Sequence, residues 1–103
     1  MCPLDRHLYG MPMSRQHIDG PLQPMEAFGQ VVRERRLEME LSQTALGRKC
    51  GFSQEYISGI ERGKRNPTLQ SMWTLAEGLG QSPQSLLGKT EKRIEEAKDG
   101  LDE

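Results

Sequence analysis

Residues 41–67 read LSQTALGRKCGFSQEYISGIERGKRNP, and how this stretch folds decides the architecture of the chain. Ser42 is a good helix N-cap, because its hydroxyl can take an amide hydrogen that the first turn leaves without a partner. Leu46 and Cys50 stand four residues apart on one face of the short helix that follows. Gly51 ends this helix, since glycine adopts the left-handed conformation at little cost. Ser53 caps a second helix, which Gly63 stops. No acid follows Ser53 at the spacing of a capping box, so this start rests on one signal.

The second helix has two faces. At the helical period Ile57, Ile60 and Ser53 share the core side, while Glu55, Ser58, Gly59 and Arg62 fall opposite, flanked by Gln54 and Tyr56. Gly59 is out of place on a solvated face, where it gives up roughly 1 kcal/mol of helix propensity relative to Ala. A missing side chain there would let a partner approach the backbone, with the short polar groups around it as donors and acceptors. Glu61 lies near the core side, where a carboxylate without a cation would be costly. Arg36 is the candidate cation, and a bidentate pair would clamp its helix to this one.

Upstream, Phe28, Val31, Val32 and Met39 recur at helical spacing with Pro24 just ahead of them, which marks a helix before the quoted stretch. Downstream, Asn66-Pro67 marks a turn, and Leu69, Met72, Trp73, Ala76 and Leu79 trace a stripe that ends at Gly80. On such a stripe Trp73 reads as core packing. Ser82 and Pro83 start a fifth helix. Five helices on short connections make a small all-α domain. Residues 1–24 mix prolines and glycines without any period and read as a flexible N-terminal arm. The expected organisation is therefore an arm at 1–24, a compact domain at 25–88 and a charged, helical or frayed C-terminal tail at 89–103.

Composition narrows the function. The net charge is -1, which argues against binding polyanions through bulk basicity, but Arg48, Lys49, Arg62, Lys64 and Arg65 cluster within 41–67. Aromatic residues make up 5% of the chain, too few for an aromatic-lined ligand pocket. Cys2, His7, His17 and Cys50 show no metal-ligand spacing, so no metal and no cofactor are implied. No run approaches the ~18 apolar residues of a membrane span, and no signal segment is recognisable, so a cytoplasmic location is expected. No acid–base pair or phosphate loop suggests an enzyme.

A short helix, a turn holding Gly51, a second helix presenting polar residues and a basic loop together form a helix-turn-helix. From about Phe28 to Leu87 the sequence resembles the phage-repressor-like, Xre-type helix-turn-helix family, through VRERR, LSQTALGRKCGFS, YISGIERGKRNP, TLQSMWTLAEGLG and SLL. Within it, YISGIER and the following RN look most like the controller proteins of restriction-modification systems. The resemblance implies a compact five-helix domain that acts as a homodimer on palindromic operator DNA. It implies base contacts from Gln54, Glu55, Ser58 and Gly59, and DNA-backbone contacts from Gln43, Tyr56, Arg62, Lys64, Arg65 and Asn66. Gln43 would also support the base-reading Gln54, and Arg36 and Glu61 match the family's structural ion pair. Glu40, Arg35, Gly47 and Gln81 depart from the family pattern, at positions that concern packing and helix boundaries.

The reading is thus a sequence-specific transcriptional regulator on double-stranded DNA. The alternative is an antitoxin-like or adaptor module that meets a protein partner through its C-terminal tail. There Leu87, Ile94 and Leu101 recur every seven residues with Ala97 between them, although Gly88 and Gly100 favour a frayed charged helix.

Overall fold

A computed structural model of the protein describes residues 20–102. Among them are five helices and no strand: α1 (Pro24–Glu38), α2 (Gln43–Cys50), α3 (Gln54–Glu61), α4 (Leu69–Gly78) and α5 (Pro83–Asp102). The arm expected at 1–24, with Cys2, His7 and His17, lies outside the described residues up to position 19.

Each start has a local cause. The Glu26 carboxylate accepts the Gln23 amide hydrogen at 3.0 Å, with Pro24 at the first helical position. Ser42, Ser53, Thr68 and Ser82 accept amide hydrogens from Ala45, Tyr56, Ser71 and Ser85 at 2.9 to 3.1 Å. Caps of this kind each contribute about 0.5–2 kcal/mol.

The turn between α2 and α3 is closed by Gly51, at φ 79°, and by a 2.8 Å bond from the Phe52 amide to the Gly47 carbonyl. A Cβ at 47 would run into the Phe52 carbonyl oxygen. Gly47, a departure from the family's usual Ala, is therefore matched to a chain that folds back tightly over α2.

Glu40 is the one non-glycine among the described residues with positive φ, at 59°. A side chain in this region costs on the order of 1–2 kcal/mol. Glu40→Gly should raise stability by about 0.5–1 kcal/mol, less than the full strain because glycine also loosens the unfolded chain. Urea melts would check this, and a variant less stable than the parent would show that the Glu40 side chain holds the turn.

The core is shared by all five helices. Phe28, Val31 and Val32 of α1 meet Leu46 of α2, Ile57 and Ile60 of α3, Leu75, Ala76 and Leu79 at α4, and Leu86 of α5. Each large side chain so buried gains about 1.5–3 kcal/mol over exposure. Around this core α1 packs on α3 and α5, α2 packs on α3 and α4, and α4 packs on α5. Two departures from the family pattern also find partners. Arg35 donates from Nε to the Leu79 carbonyl at 2.8 Å and so caps the end of α4. Gln81 accepts from Ser85 Oγ at 2.8 Å and from Lys89 Nζ at 3.2 Å.

The expectation for α4 needs correcting. Its buried residues are Leu75, Ala76 and the C-cap Leu79, with Met72 packed against them, whereas Leu69 is 64% and Trp73 51% exposed. The apolar stripe is wider than the face that the core can cover. Leu69 and Trp73, one turn apart, fall on its outer flank.

The C-terminal segment is one helix with α5, which passes the boundary expected at 88 without a break. Thr90 is buried and donates its hydroxyl to the Leu86 carbonyl at 2.8 Å. Arg93 pairs with the Glu34 carboxylate and donates to Gln30 Oε1 at 3.1 Å. As far as Arg93, the segment is docked on α1. Ile94 and Ala97 are half-buried, and the side chain of Leu101 lies outside the described residues.

Candidate nucleic-acid interface

The interface is built outward from Arg36. Its guanidinium is two-pronged on Glu61, with Nε to Oε2 at 2.6 Å and Nη2 to Oε1 at 3.0 Å, and Nη1 donates to the Leu41 carbonyl at 2.8 Å. The two side chains are only 9% and 3% exposed. Three elements are joined here: α1, the loop into α2, and the end of α3. In this enclosed setting charge-assisted bonds are short, and both ions depend on each other for compensation.

From the ion pair a polar chain leads to the surface. Gln43 donates from Nε2 to Glu61 Oε1 at 3.0 Å, and its Oε1 accepts from Gln54 Nε2 at 2.6 Å. The carboxylate can only accept, so it fixes which end of the Gln43 amide faces inward. Gln43 in turn presents an acceptor to Gln54. Gln54 is exposed at the first turn of α3, and its second amide hydrogen and its carbonyl oxygen remain for an outside partner.

The other residues of α3 divide. Glu55 is exposed, and Ser58 is half-buried with its hydroxyl accepting from Arg62 Nε at 3.2 Å. Gly59, expected to lie open for close approach, is buried instead. The side chain of Arg65 fills the room beside it, so what sits there is this chain's own arginine. Tyr56 is half-buried; its hydroxyl is paired with Ser71 Oγ at 3.1 Å, and its ring meets Phe52 edge-on at 4.9 Å. Ser71 also meets Thr68, so α4 holds the tyrosine in place, a partnership that no spacing in the sequence signals. Arg62, Lys64, Arg65 and Asn66 are all exposed at the end of α3 and in the loop after it. Arg62, Lys64 and Arg65 make this end of α3 positive.

Cys50 is a packing group on the inner side of this unit. Its half-buried thiol reaches the Thr74 carbonyl at 3.7 Å, and burial pushes its pKa up against the opposite pull of Lys49. Among the described residues no group of His, Cys, Asp and Glu could hold a metal ion, and no helix is long and apolar enough to cross a membrane.

Comparison with known proteins agrees with this geometry. The helix-turn-helix family profile matches residues 32–86. Control protein C.BamHI of Bacillus amyloliquefaciens is 42% identical over 64 residues, covering 61% of this chain and 79% of the relative. The crystal structure of the restriction-modification controller protein C.AhdI from Aeromonas hydrophila is 39% identical, with a TM-score of 0.59 over 60% of this chain and 94% of that one. The controller C.Esp1396I, solved as a tetramer in complex with its natural 35 base-pair operator, is 32% identical with a TM-score of 0.64, covering 69% of this chain and 93% of that one. On the profile match, these relatives and the helix-turn-helix itself, the chain belongs to the Xre-type helix-turn-helix family of DNA-binding transcription regulators.

Proposed function

We propose that this protein is a sequence-specific transcriptional regulator that binds a palindromic operator as a homodimer, with α3 of each copy in the major groove. The observation that carries the reading is Gln54, an exposed amide at the start of α3 whose orientation is set by Gln43 and, behind it, by Glu61. A glutamine so held can offer one donor and one acceptor to the N7 and N6 positions of adenine. Glu55 can accept from cytosine N4 but repels phosphate, so it narrows base choice more than it adds affinity. Arg62, Lys64, Arg65 and Asn66 supply attraction to the DNA backbone, and the charged ones make binding weaken as salt rises.

The exposed apolar side chains support the homodimer. Leu69 and Trp73 expose large apolar side chains on α4, and Leu87 of α5, 45% exposed, lines a shallow apolar groove with Met72 and Pro67. Water-exposed apolar clusters of this kind are characteristic of association surfaces. Two copies joined there would carry two recognition helices to half-sites related by a dyad.

Selection of bound duplexes from a random pool tests the reading. The expected product is an inverted repeat with half-sites about one helical turn apart, ~10 base pairs. A pool left unenriched would overturn it. Trp73→Lys should convert the dimer to a monomer in sedimentation and weaken binding to the selected duplex; a dimer of unchanged strength would place the interface elsewhere. The antitoxin-like or adaptor alternative lacks comparable support, because the segment it relies on is docked on α1 as far as Arg93 within the free chain.

A further inference from the structure

The loop after α3 folds back onto that helix. The amide hydrogens of Lys64 and Arg65 both reach the Gly59 carbonyl, at 2.8 and 3.2 Å, which fixes the backbone of Arg65 against the end of α3. Residue 59 has no side chain, and the stem of Arg65 lies where one would be. A Cβ at 59 would stand 2.5 Å from Arg65 Cγ and 3.5 Å from its Cδ and Nε. The guanidinium carbon lies 5.9 Å from the centre of the Tyr56 ring, within cation–π range, and Ser71 and Phe52 hold that ring in turn. An exposed arginine on a loop would ordinarily sample many rotamers. This one is supported along its whole length.

We infer that Gly59 is the socket of Arg65, and that the two, with Tyr56, form a preset arm which brings a planar guanidinium onto the DNA-facing surface of α3. The inference rests on the DNA-binding reading above and changes two roles within it. Gly59 touches no base; it is a positioning residue. Arg65 becomes a directed two-pronged donor rather than a loose positive charge. The acceptor pair it suits is two oxygens of a phosphate or the O6 and N7 edge of guanine, which share the same fork geometry. Ordering the arm before binding removes the rotamer entropy that a free side chain would lose on contact.

The decisive variant is Gly59→Ala, which leaves every charge in place and exchanges glycine for a better helix former. Its melting temperature should change little, because Arg65 must turn its side chain away from Cγ outward, a cost that offsets the gain in helix propensity. Its affinity should nevertheless fall about three- to tenfold, the scale of reordering one long side chain. Made in an Arg65→Ala background, the same change should alter binding by less than about twofold, since the arm it displaces is gone. Two probes separate the acceptors: the duplex selected by the wild-type protein, and a pool of random duplexes of equal length. Equal loss on both identifies phosphate, and loss confined to the selected duplex identifies a base edge.

Wild-type binding by Gly59→Ala, or an undiminished loss in the Arg65→Ala background, would overturn the inference. A measurement without DNA keeps it separate from the reading beneath it. The Arg65 δ-methylene protons should show an upfield ring-current shift in the free protein that disappears in Gly59→Ala. Absence of that shift in the wild type sinks the arm even if DNA binding holds. A wild-type protein that binds no duplex sinks the functional reading, and with it the role given to the arm.

Discussion

Arg36→Ala is expected to cost about 3 to 5 kcal/mol of folding stability, the loss typical of removing one partner from an enclosed ion pair. The cost comes less from the lost attraction than from what is left behind. Glu61, 3% exposed, would keep a single side-chain bond, from Gln43, and the Leu41 carbonyl would lose the guanidinium hydrogen it accepts. A small domain holds only about 5–15 kcal/mol in total, so the melting temperature should fall by at least ~12 °C. Arg36→Lys should lie between the two, because one ammonium cannot serve both carboxylate oxygens and the Leu41 carbonyl together. A melt displaced by less than about 0.5 kcal/mol would show that the clamp does not support the fold. The apolar double replacement Arg36→Met, Glu61→Leu should recover much of the stability. It would still release Gln43, whose amide is oriented by Glu61.

Most of the fold is legible in the sequence because its signals are local. Ser42, Ser53 and Ser82 cap the helices they announce, and Gly51, Gly63 and Gly80 follow helix ends with positive φ. Such features depend on a few neighbouring residues and survive whatever packs around them. What depends on distant residues is harder to read. Trp73 and Leu69 fit the helical stripe of α4, but the breadth of the face that α4 buries is set by the helices that pack on it, α2 and α5. A stripe gives the direction of the core; it does not give its width. Leu75, outside the stripe traced by Leu69, Met72, Trp73, Ala76 and Leu79, is fully buried.

At the interface the same division recurs. The outward side of α3 follows from the period, and Gln54 and Glu55 are exposed there. The burial of Gly59 is not visible from the wheel, because the residue that covers it arrives from the next loop, on hydrogen bonds from Lys64 and Arg65 to the Gly59 carbonyl. A helical wheel treats everything outside the helix as solvent or partner. Here the loop is neither. The glycine does mark a close approach, as its cost in helix propensity suggests, but the approaching group belongs to the same chain.

Gln54→Ala is expected to weaken binding to the selected duplex by about 1 to 3 kcal/mol and to relax base choice at one position in each half-site. The size follows from how the amide is held. Gln43 Oε1 takes one hydrogen of Gln54 Nε2 at 2.6 Å, so the remaining hydrogen and the carbonyl oxygen are left as a donor–acceptor pair on an amide that no longer turns freely. Alanine removes both at once and leaves the adenine edge without partners in a groove from which water has been displaced. Stability should hardly change, because the Gln54 side chain is exposed and is bonded only to Gln43 among the described residues, so a binding defect would not be a folding defect. Gln43→Ala should relax the same base position by less, since Gln54 would still reach the groove but with its amide free to turn. Competition between duplexes that differ at single base pairs measures both effects. Selectivity unchanged in Gln54→Ala would remove it from the reading surface and leave Glu55 and the Arg65 arm to account for base choice.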